Sequence, residues 1–175
     1  MSNGFDKNTY RTPRYLVNWI ARRFGGVWVD GCANEHNAVF DVFIGEGSAW
    51  PDFLDFDEME IELAHGALDI AFFVNPPYSN PKPFVERAAA LRKQDFLVVM
   101  LLPADKSTHW YQVIQDNATE VINIIGGRIN FLHPITGEEV KGNNKGSMVV
   151  VFDPMVNGLV TRQARLDFIK KCGAE

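Results

Sequence analysis

The sequence predicts an α/β fold in which a mostly parallel central sheet is covered by helices on both faces. Three observations carry this expectation. Near-continuous apolar runs such as Ile70-Ala71-Phe72-Phe73-Val74 and Phe96 to Leu102 recur along the chain, which is the pattern of strands buried on both sides. Segments with apolar residues at helical spacing separate them. The runs end in turn-forming segments, and ligands of such sheets bind just beyond the carboxyl ends of the strands.

The elements follow in order. Thr12-Pro13 opens the first helix, because threonine can cap free N–H groups and proline fits the first turn. Leu16, Ile20 and Phe24 then repeat at helical spacing with Val17 beside them, and Gly25-Gly26 closes the helix. Val27-Trp28-Val29 is a short strand ending in Asp30-Gly31. A short helix from about Glu35 precedes a strand at Val42-Phe43-Ile44, closed by Gly45. Asp57 to Ala64 reads as a weak helix. The buried strand at Ile70 to Val74 runs straight into Asn75-Pro76-Pro77-Tyr78. An Ala-rich helix from Pro83 to Lys93 leads to the strand at Phe96 to Leu102, and a helix covers Ser107 to Asp116. Strands at Val121 to Ile125, Ile129 to Leu132 and Met148 to Phe152 follow, with a last helix near Leu159 to Lys171. Residues 1–175 read as one domain. A loop insertion over about 133–146, densest in Gly and polar residues from Thr136 to Gly146, is the segment best suited to target recognition.

Composition narrows the function. The chain is 46% hydrophobic and 22% charged, as soluble globular proteins are. It has no apolar run of about 18 residues, so no membrane-spanning helix is expected. The start, Met1 to Lys7, lacks the basic and apolar regions of a signal peptide. Cys32 and Cys172 are far apart and show no metal-ligand spacing. No metal and a reducing, cytoplasmic setting are therefore expected. A net charge of −5 argues against a protein that coats nucleic acid but permits a local basic face. Its candidates are Arg87, Arg92, Lys93, Lys106, Arg128, Lys141 and Lys145. The sequence has no phosphate-binding Gly-rich loop with Lys, no nucleophile elbow and no zinc-type His/Cys cluster. His36, His65, His109 and His133 are scattered and read as structural, and Trp110 and Phe131 read as core.

Asn75-Pro76-Pro77-Tyr78 decides the chemistry. A chance match to these four residues in a chain of this length occurs about once in a thousand or more rarely. Neither proline can continue a ladder, so the chain leaves the sheet here as a stiff, extended turn. Such a turn holds the Asn75 side chain and the Pro76 carbonyl close together at the crevice. Two fixed acceptors suit an –NH2 group, which offers two donors. An exocyclic amine conjugated to a ring is a poor nucleophile; accepting its protons pushes electron density onto nitrogen. Tyr78 adds an aromatic face for a planar base, a contact worth about 1–3 kcal/mol. The plain alternative is a strand-to-helix turn with Tyr78 in the core.

Asn75-Pro76-Pro77-Tyr78-Ser79 resembles the catalytic motif of amino-group methyltransferases. Further segments are similar to the small DNA N6-adenine methyltransferases of phages and prophages: Tyr10-Arg11-Thr12-Pro13, Asp30-Gly31-Cys32-Ala33, Leu101 to Asp105, Gly127 to Phe131 and Gly146 to Phe152. The resemblance implies a Rossmann-like class I methyltransferase fold, S-adenosylmethionine as methyl donor, double-stranded DNA as partner, base flipping and no metal. It implies a catalytic role for Asn75, Pro76, Pro77 and Tyr78. For the cofactor it implies Tyr10, Thr12, Pro13 and the turn Asp30, Gly31, Cys32, Ala33, with Asp30 accepting from the methionine amino group. Gly31 stands where relatives often carry Pro or Cys. Glu46, after the second strand, is in place for the ribose, although an exposed loop acid reads the same way. Asp52 and Phe53 resemble the segment that receives the cofactor's adenine, with Asp55 as a rival to Asp52. Ser79, Lys106 and Arg128 are the candidates for nucleic-acid contact. The tetrapeptide does not separate adenine in DNA from a base in RNA or a protein glutamine, and a non-catalytic binding module is the reading from another class.

Overall fold

The protein is described here by a computed structural model covering residues 6–66 and 69–175. Most of the leader reading, residues 1–5, lies outside the described residues. Among the described residues, seven strands form one sheet: β1 (Val27–Asp30), β2 (Val42–Phe43), β3 (Ile70–Val74), β4 (Leu97–Pro103), β5 (Glu120–Ile125), β6 (Ser147–Phe152) and β7 (Val160–Arg165). Their order is β2-β1-β3-β4-β6-β5-β7, and β6 alone runs against the others, wedged between β4 and β5. The helices among the described residues are α1 (Arg14–Phe24), α2 (Glu58–His65), α3 (Lys82–Lys93), α4 (His109–Asn117) and α5 (Leu166–Cys172).

The apolar character of the strands follows from cover on both faces. All of β3 is buried: Ile70, Phe72 and Val74 pack with Phe53, Phe56, Val85, Leu91 and Ile114 beneath α2, α3 and α4. Ala71 and Phe73 pack with Leu16, Ile20, Trp28 and Ile169 beneath α1 and α5. Each large apolar side chain removed from water in this way contributes about 1.5–3 kcal/mol. The weak helix α2 has caps at both ends. Asp57 accepts from the Met59 N–H at 2.9 Å, and Gly66 adopts the left-handed conformation that closes it.

Four local expectations differ from the structure. Residues near Glu35 form a turn rather than a helix, because Asn34 Oδ1 accepts from the N–H groups of His36 and Asn37 and so competes with helical bonding. Thr12 does not cap α1; Pro13 is the N-cap residue, and no side chain bonds the first turn. Ile129 to Leu132 is not a strand. Gly126 and Gly127, with φ of 77° and 155°, turn the chain out of the sheet, and Leu132 makes only isolated bridges to Arg11 and Glu139. The last expected helix divides into edge strand β7 and the shorter α5. Strand β7 is almost wholly exposed, so it lacks the apolar alternation that marks a half-buried strand.

The turn after β2 sets a tight steric limit. Gly45 has φ of 145°, and a Cβ there would fall 1.8 Å from the carbonyl oxygen of Ala33. The same turn is stitched by Ala33 N–H to Ile44 C=O at 3.0 Å and Gly45 N–H to Trp50 C=O at 2.8 Å. Gly45→Ala is expected to cost more than about 2 kcal/mol, by strain against backbone that cannot yield. Thermal denaturation should show a fall in Tm of at least several degrees; an unchanged Tm would contradict this account.

Candidate active site

The chain passes from β1 outward to β2 and then returns to the other side of β1 as β3. A crevice opens at such a switch point, between the carboxyl ends of β1 and β3. Two segments meet there, Asp30 to Ala33 and Asn75 to Tyr78. They are joined by the Gly31 N–H, which donates to the Phe73 carbonyl at 2.7 Å. Gly31 packs closely, since a Cβ would sit 2.9 Å from Val74 Cγ2 and 3.0 Å from the Phe53 ring, and those side chains would have to shift to admit one. The Asp30 carboxylate, only 3% exposed, lies behind this turn. Its oxygens accept from the Cys32 N–H at 3.2 Å and the Val39 N–H at 3.0 Å, which fixes the loop that returns toward β2. Burial pushes its pKa up to about 6, against the lowering effect of those two donors and of Arg11.

Beyond Val74 the prolines stop the ladder, and Pro81 leads into α3. Two cavities flank this exit. The first, about 330 Å³, is walled by Lys7, Asn8, Tyr10, Asn75, Pro76, Tyr78, Phe131 and residues 140–145. The second, about 250 Å³, is walled by Asn8, Thr9, Gly31, Cys32, Ala33, Asn34, Asn37, Ile44, Gly45, Glu46, Pro51, Asp52, Phe53, Asn75, Pro77 and Phe84. Asn75 and Asn8 belong to both walls. The Asn75 amide donates from Nδ2 to Thr12 Oγ1 at 3.1 Å. Tyr78 meets Phe131 edge to face, with centroids 6.2 Å apart, and its buried hydroxyl has no hydrogen-bond partner. Burial also raises the pKa of that hydroxyl.

The second cavity gathers Gly31, Cys32, Ala33, Glu46, Asp52 and Phe53 from the residues expected to bind a cofactor. Tyr10 instead stands on the first cavity, while Thr12, Pro13 and Asp30 are buried and line neither. Asp55 also lines neither, which favours Asp52 of the two. Cys32 has its thiol pKa pushed up by burial and by the nearby Asp30 and Asp52 charges, so it is not a ready nucleophile. Ser79 and Lys106 are exposed outside both walls, and the Lys106 ammonium lies 5.9 Å from the Tyr111 ring centroid. Arg128 Nη1 donates to the Asn143 carbonyl at 3.2 Å, beside the first cavity. Phe131, expected in the core, is half-buried and lines that cavity. Lys7 and Asn8 escaped the sequence reading. Their only signal was that they immediately precede Tyr10-Arg11-Thr12-Pro13.

A helix-flanked sheet with one reversed strand between β4 and β5, and paired cavities meeting at an Asn-Pro-Pro-Tyr turn, defines a protein of the Rossmann-like methyltransferase class. Residues 3–172 match the model of the DNA N-6-adenine-methyltransferase (Dam) family, and the chain belongs to that family. It is similar to a DNA N-6-adenine-methyltransferase of Haemophilus phage HP1 (strain HP1c1), 36% identical over 151 residues, covering 85% of this chain and 80% of that protein. It is also similar to a protein of the same description in Escherichia phage T1, 28% identical over 180 positions, covering 95% of this chain and 71% of the relative. Among the described residues no helix is long and apolar enough to cross a membrane, and no cluster of three metal-binding side chains occurs.

Asp30 ties this site to stability. Its folded pKa of about 6 lies above the ordinary 3.8, so between these values the folded state binds more protons than the unfolded one. Its contribution to stability therefore falls as pH rises from about 4 to about 6, then levels off. Denaturation of the parent and of Asp30→Asn across this range should show the parent losing stability relative to the variant. A difference that is flat or rises with pH would overturn the assignment.

Proposed function

We propose that this chain transfers a methyl group from S-adenosylmethionine to the N6 amino nitrogen of adenine in double-stranded DNA. The observation that carries this reading is Asn75, a single carboxamide on the walls of two adjoining cavities. One cavity suits the methyl donor and the other a planar base. The donor side fits S-adenosylmethionine in its chemistry. Glu46, just beyond β2, offers a carboxylate for the ribose hydroxyls, and Asp52 with Phe53 offers an acceptor and a ring for the adenine. When bound, S-adenosylmethionine supplies an electrophilic methyl group. Asp30 acts in this reading from behind the turn, by holding Cys32 and Val39 in place rather than by touching the cofactor.

On the acceptor side, Asn75 and the Pro76 carbonyl accept from the target amine and raise its electron density. Tyr78 and Phe131 form the aromatic wall against which an extruded base rests. The 133–146 segment contributes Val140 to Lys145 to the lining of the same cavity, which supports a part for it in target recognition. Lys7, Lys141 and Lys145 bring positive charge to the rim, and Arg128 and Lys106 extend it toward backbone phosphates. Both relatives described above come from phages, and action on DNA inside a host cell is part of the same proposal. The direct test is tritiated methyl transfer onto unmethylated DNA, RNA and bulk protein in parallel, with nucleoside analysis. Label confined to RNA or protein would reject the acceptor proposed.

Asn75→Ala should lower kcat by about a hundredfold or more while leaving calorimetric cofactor affinity nearly unchanged, since it removes an acceptor used in the transition state. Tyr78→Ala should weaken capture of the extruded base, read by the fluorescence of 2-aminopurine at the target position. Tyr78→Phe should keep most activity, because the buried hydroxyl has no partner and stacking needs only the ring. If Phe proves as damaging as Ala, the tyrosine hydroxyl acts in the chemistry and the stacking role is wrong.

Binding to DNA should weaken steeply with salt. Arg128→Ala should lower affinity alike for many sequences and reduce the salt slope by about one. A salt slope equal to that of the parent would remove Arg128 from the DNA contact surface.

A further inference from the structure

A carboxamide has two ends of nearly the same shape and opposite chemistry, and only one of them can activate an amine. Oxygen accepts; the nitrogen only donates, and facing an –NH2 group it would set donor against donor. Pro76 and Pro77 fix the backbone around Asn75 but leave its terminal torsion broad, so the strand exit alone does not decide which end meets the substrate. That decision needs a partner for one end. A hydroxyl can serve either end, accepting from the nitrogen or donating to the oxygen; here Asn75 Nδ2 donates to Thr12 Oγ1 at 3.1 Å, across 63 positions of sequence.

Thr12 is well placed to act as a fixed anchor. It is only 4% exposed. The residue before it, Arg11, exchanges two backbone hydrogen bonds with Leu132, each 2.8 Å, and the residue after it, Pro13, is the N-cap of α1. Its side chain is β-branched and stiff about χ1. Its hydroxyl makes no capping bond to α1 and lines neither cavity, so neither helix formation nor direct ligand contact accounts for it.

We infer that Thr12 is a positioning residue for methyl transfer: by holding Nδ2 of Asn75 it turns Oδ1 toward the target amine. This rests on the proposed reading of Asn75 as the acceptor for that amine. Thr12 lines neither cavity, so its effect passes through Asn75.

The test is steady-state kinetics of the full chain on DNA, with calorimetry of cofactor binding. Thr12→Val keeps the shape and removes the hydroxyl. It should lower kcat by about tenfold or more, with KM for DNA and cofactor affinity within about twofold of the parent. Thr12→Ser should recover most of the rate. In the Asn75→Ala background, Thr12→Val should bring no further loss, as expected for two residues acting as a unit. If Thr12→Val does not fold, Thr12→Ala compared with Thr12→Ser carries the same contrast. A Thr12→Val enzyme at the parental rate, a Thr12→Ser enzyme as slow as Thr12→Val, or an additive double variant overturns the inference. Asn75→Ala at full rate overturns the reading beneath it as well; a disabled Asn75→Ala beside an unaffected Thr12→Val overturns this inference alone.

Discussion

Two prolines that cannot donate to a ladder end β3 at Val74, and the rest of the site is arranged around the exit they impose. Because β3 is buried on both faces and flanked by β1 and β4, its exit lies deep at the sheet's carboxyl edge. Asn75 therefore emerges beside the turn that follows β1, and Gly31 lets that turn close against Val74 and Phe53. A Cβ at position 31 would require the Val74 and Phe53 side chains to shift. The proximity of the two cavities is thus a consequence of strand order, one small residue and two that stop pairing. An enzyme that joins two substrates gains most of its advantage from such placement.

Charge on the molecule divides in a way that net charge conceals. The chain carries −5 overall, and several of its cations are already committed. Arg23 and Arg162 each pair with Glu120 at 2.7 Å. Arg87 pairs with Glu58 and reaches the carbonyls of Phe53 and Phe56, while Arg92 donates to the carbonyls of Asp153, Asn117 and Val156. These residues hold segments together on the flanks of the sheet. The lysines at positions 7, 141 and 145 instead surround one cavity. Asp105 lies near this rim and is kept ionised by its hydrogen bonds from Ser107, with Lys145 adding to the effect. A local basic rim on an acidic body draws a polyanion to one place and repels it elsewhere.

The sheet was legible wherever strands are buried on both sides, because a short continuous apolar run bounded by turn residues is the pattern such strands require. Strand β7 was not, since Val160-Thr161-Arg162-Gln163-Ala164-Arg165 is exposed at the edge and obtains its conformation from pairing with β5. Gly126 and Gly127 were visible, but nothing local showed that they would carry Ile129 to Leu132 out of the sheet and across to Arg11. In the site, the turn after β1 and the Asn-Pro-Pro-Tyr exit could be read because both sit at strand ends. The place of Lys7 and Asn8 could not. The segment from Lys7 to Thr12 is held at the crevice by long-range bonds, among them Arg11 with Leu132, Asn37 with Thr9 and Asn75 with Thr12, which leave no periodicity in the sequence.

On the proposed reading, in which the first cavity takes the acceptor, its lining also bears on how the amine is activated. Its wall carries amides, aromatic rings and lysines, and among the described residues it has no carboxylate and no histidine. Asp30, whose pKa would suit a base, is sealed behind the neighbouring turn by two backbone donors. Tyr78 is no base either, because burial disfavours its ionised form and its hydroxyl has no partner. On the proposed reading, the nitrogen is therefore made reactive by accepted hydrogen bonds while it keeps its protons, and one proton passes to solvent water only after the new bond has made it acidic. The same wall discriminates among planar amines. A glutamine amide on a flexible aliphatic stem gains little from the Tyr78 and Phe131 rings, whereas a nucleobase offers a full π face to them. On the proposed reading, the aromatic wall and the basic rim suit an extruded base better than a protein side chain.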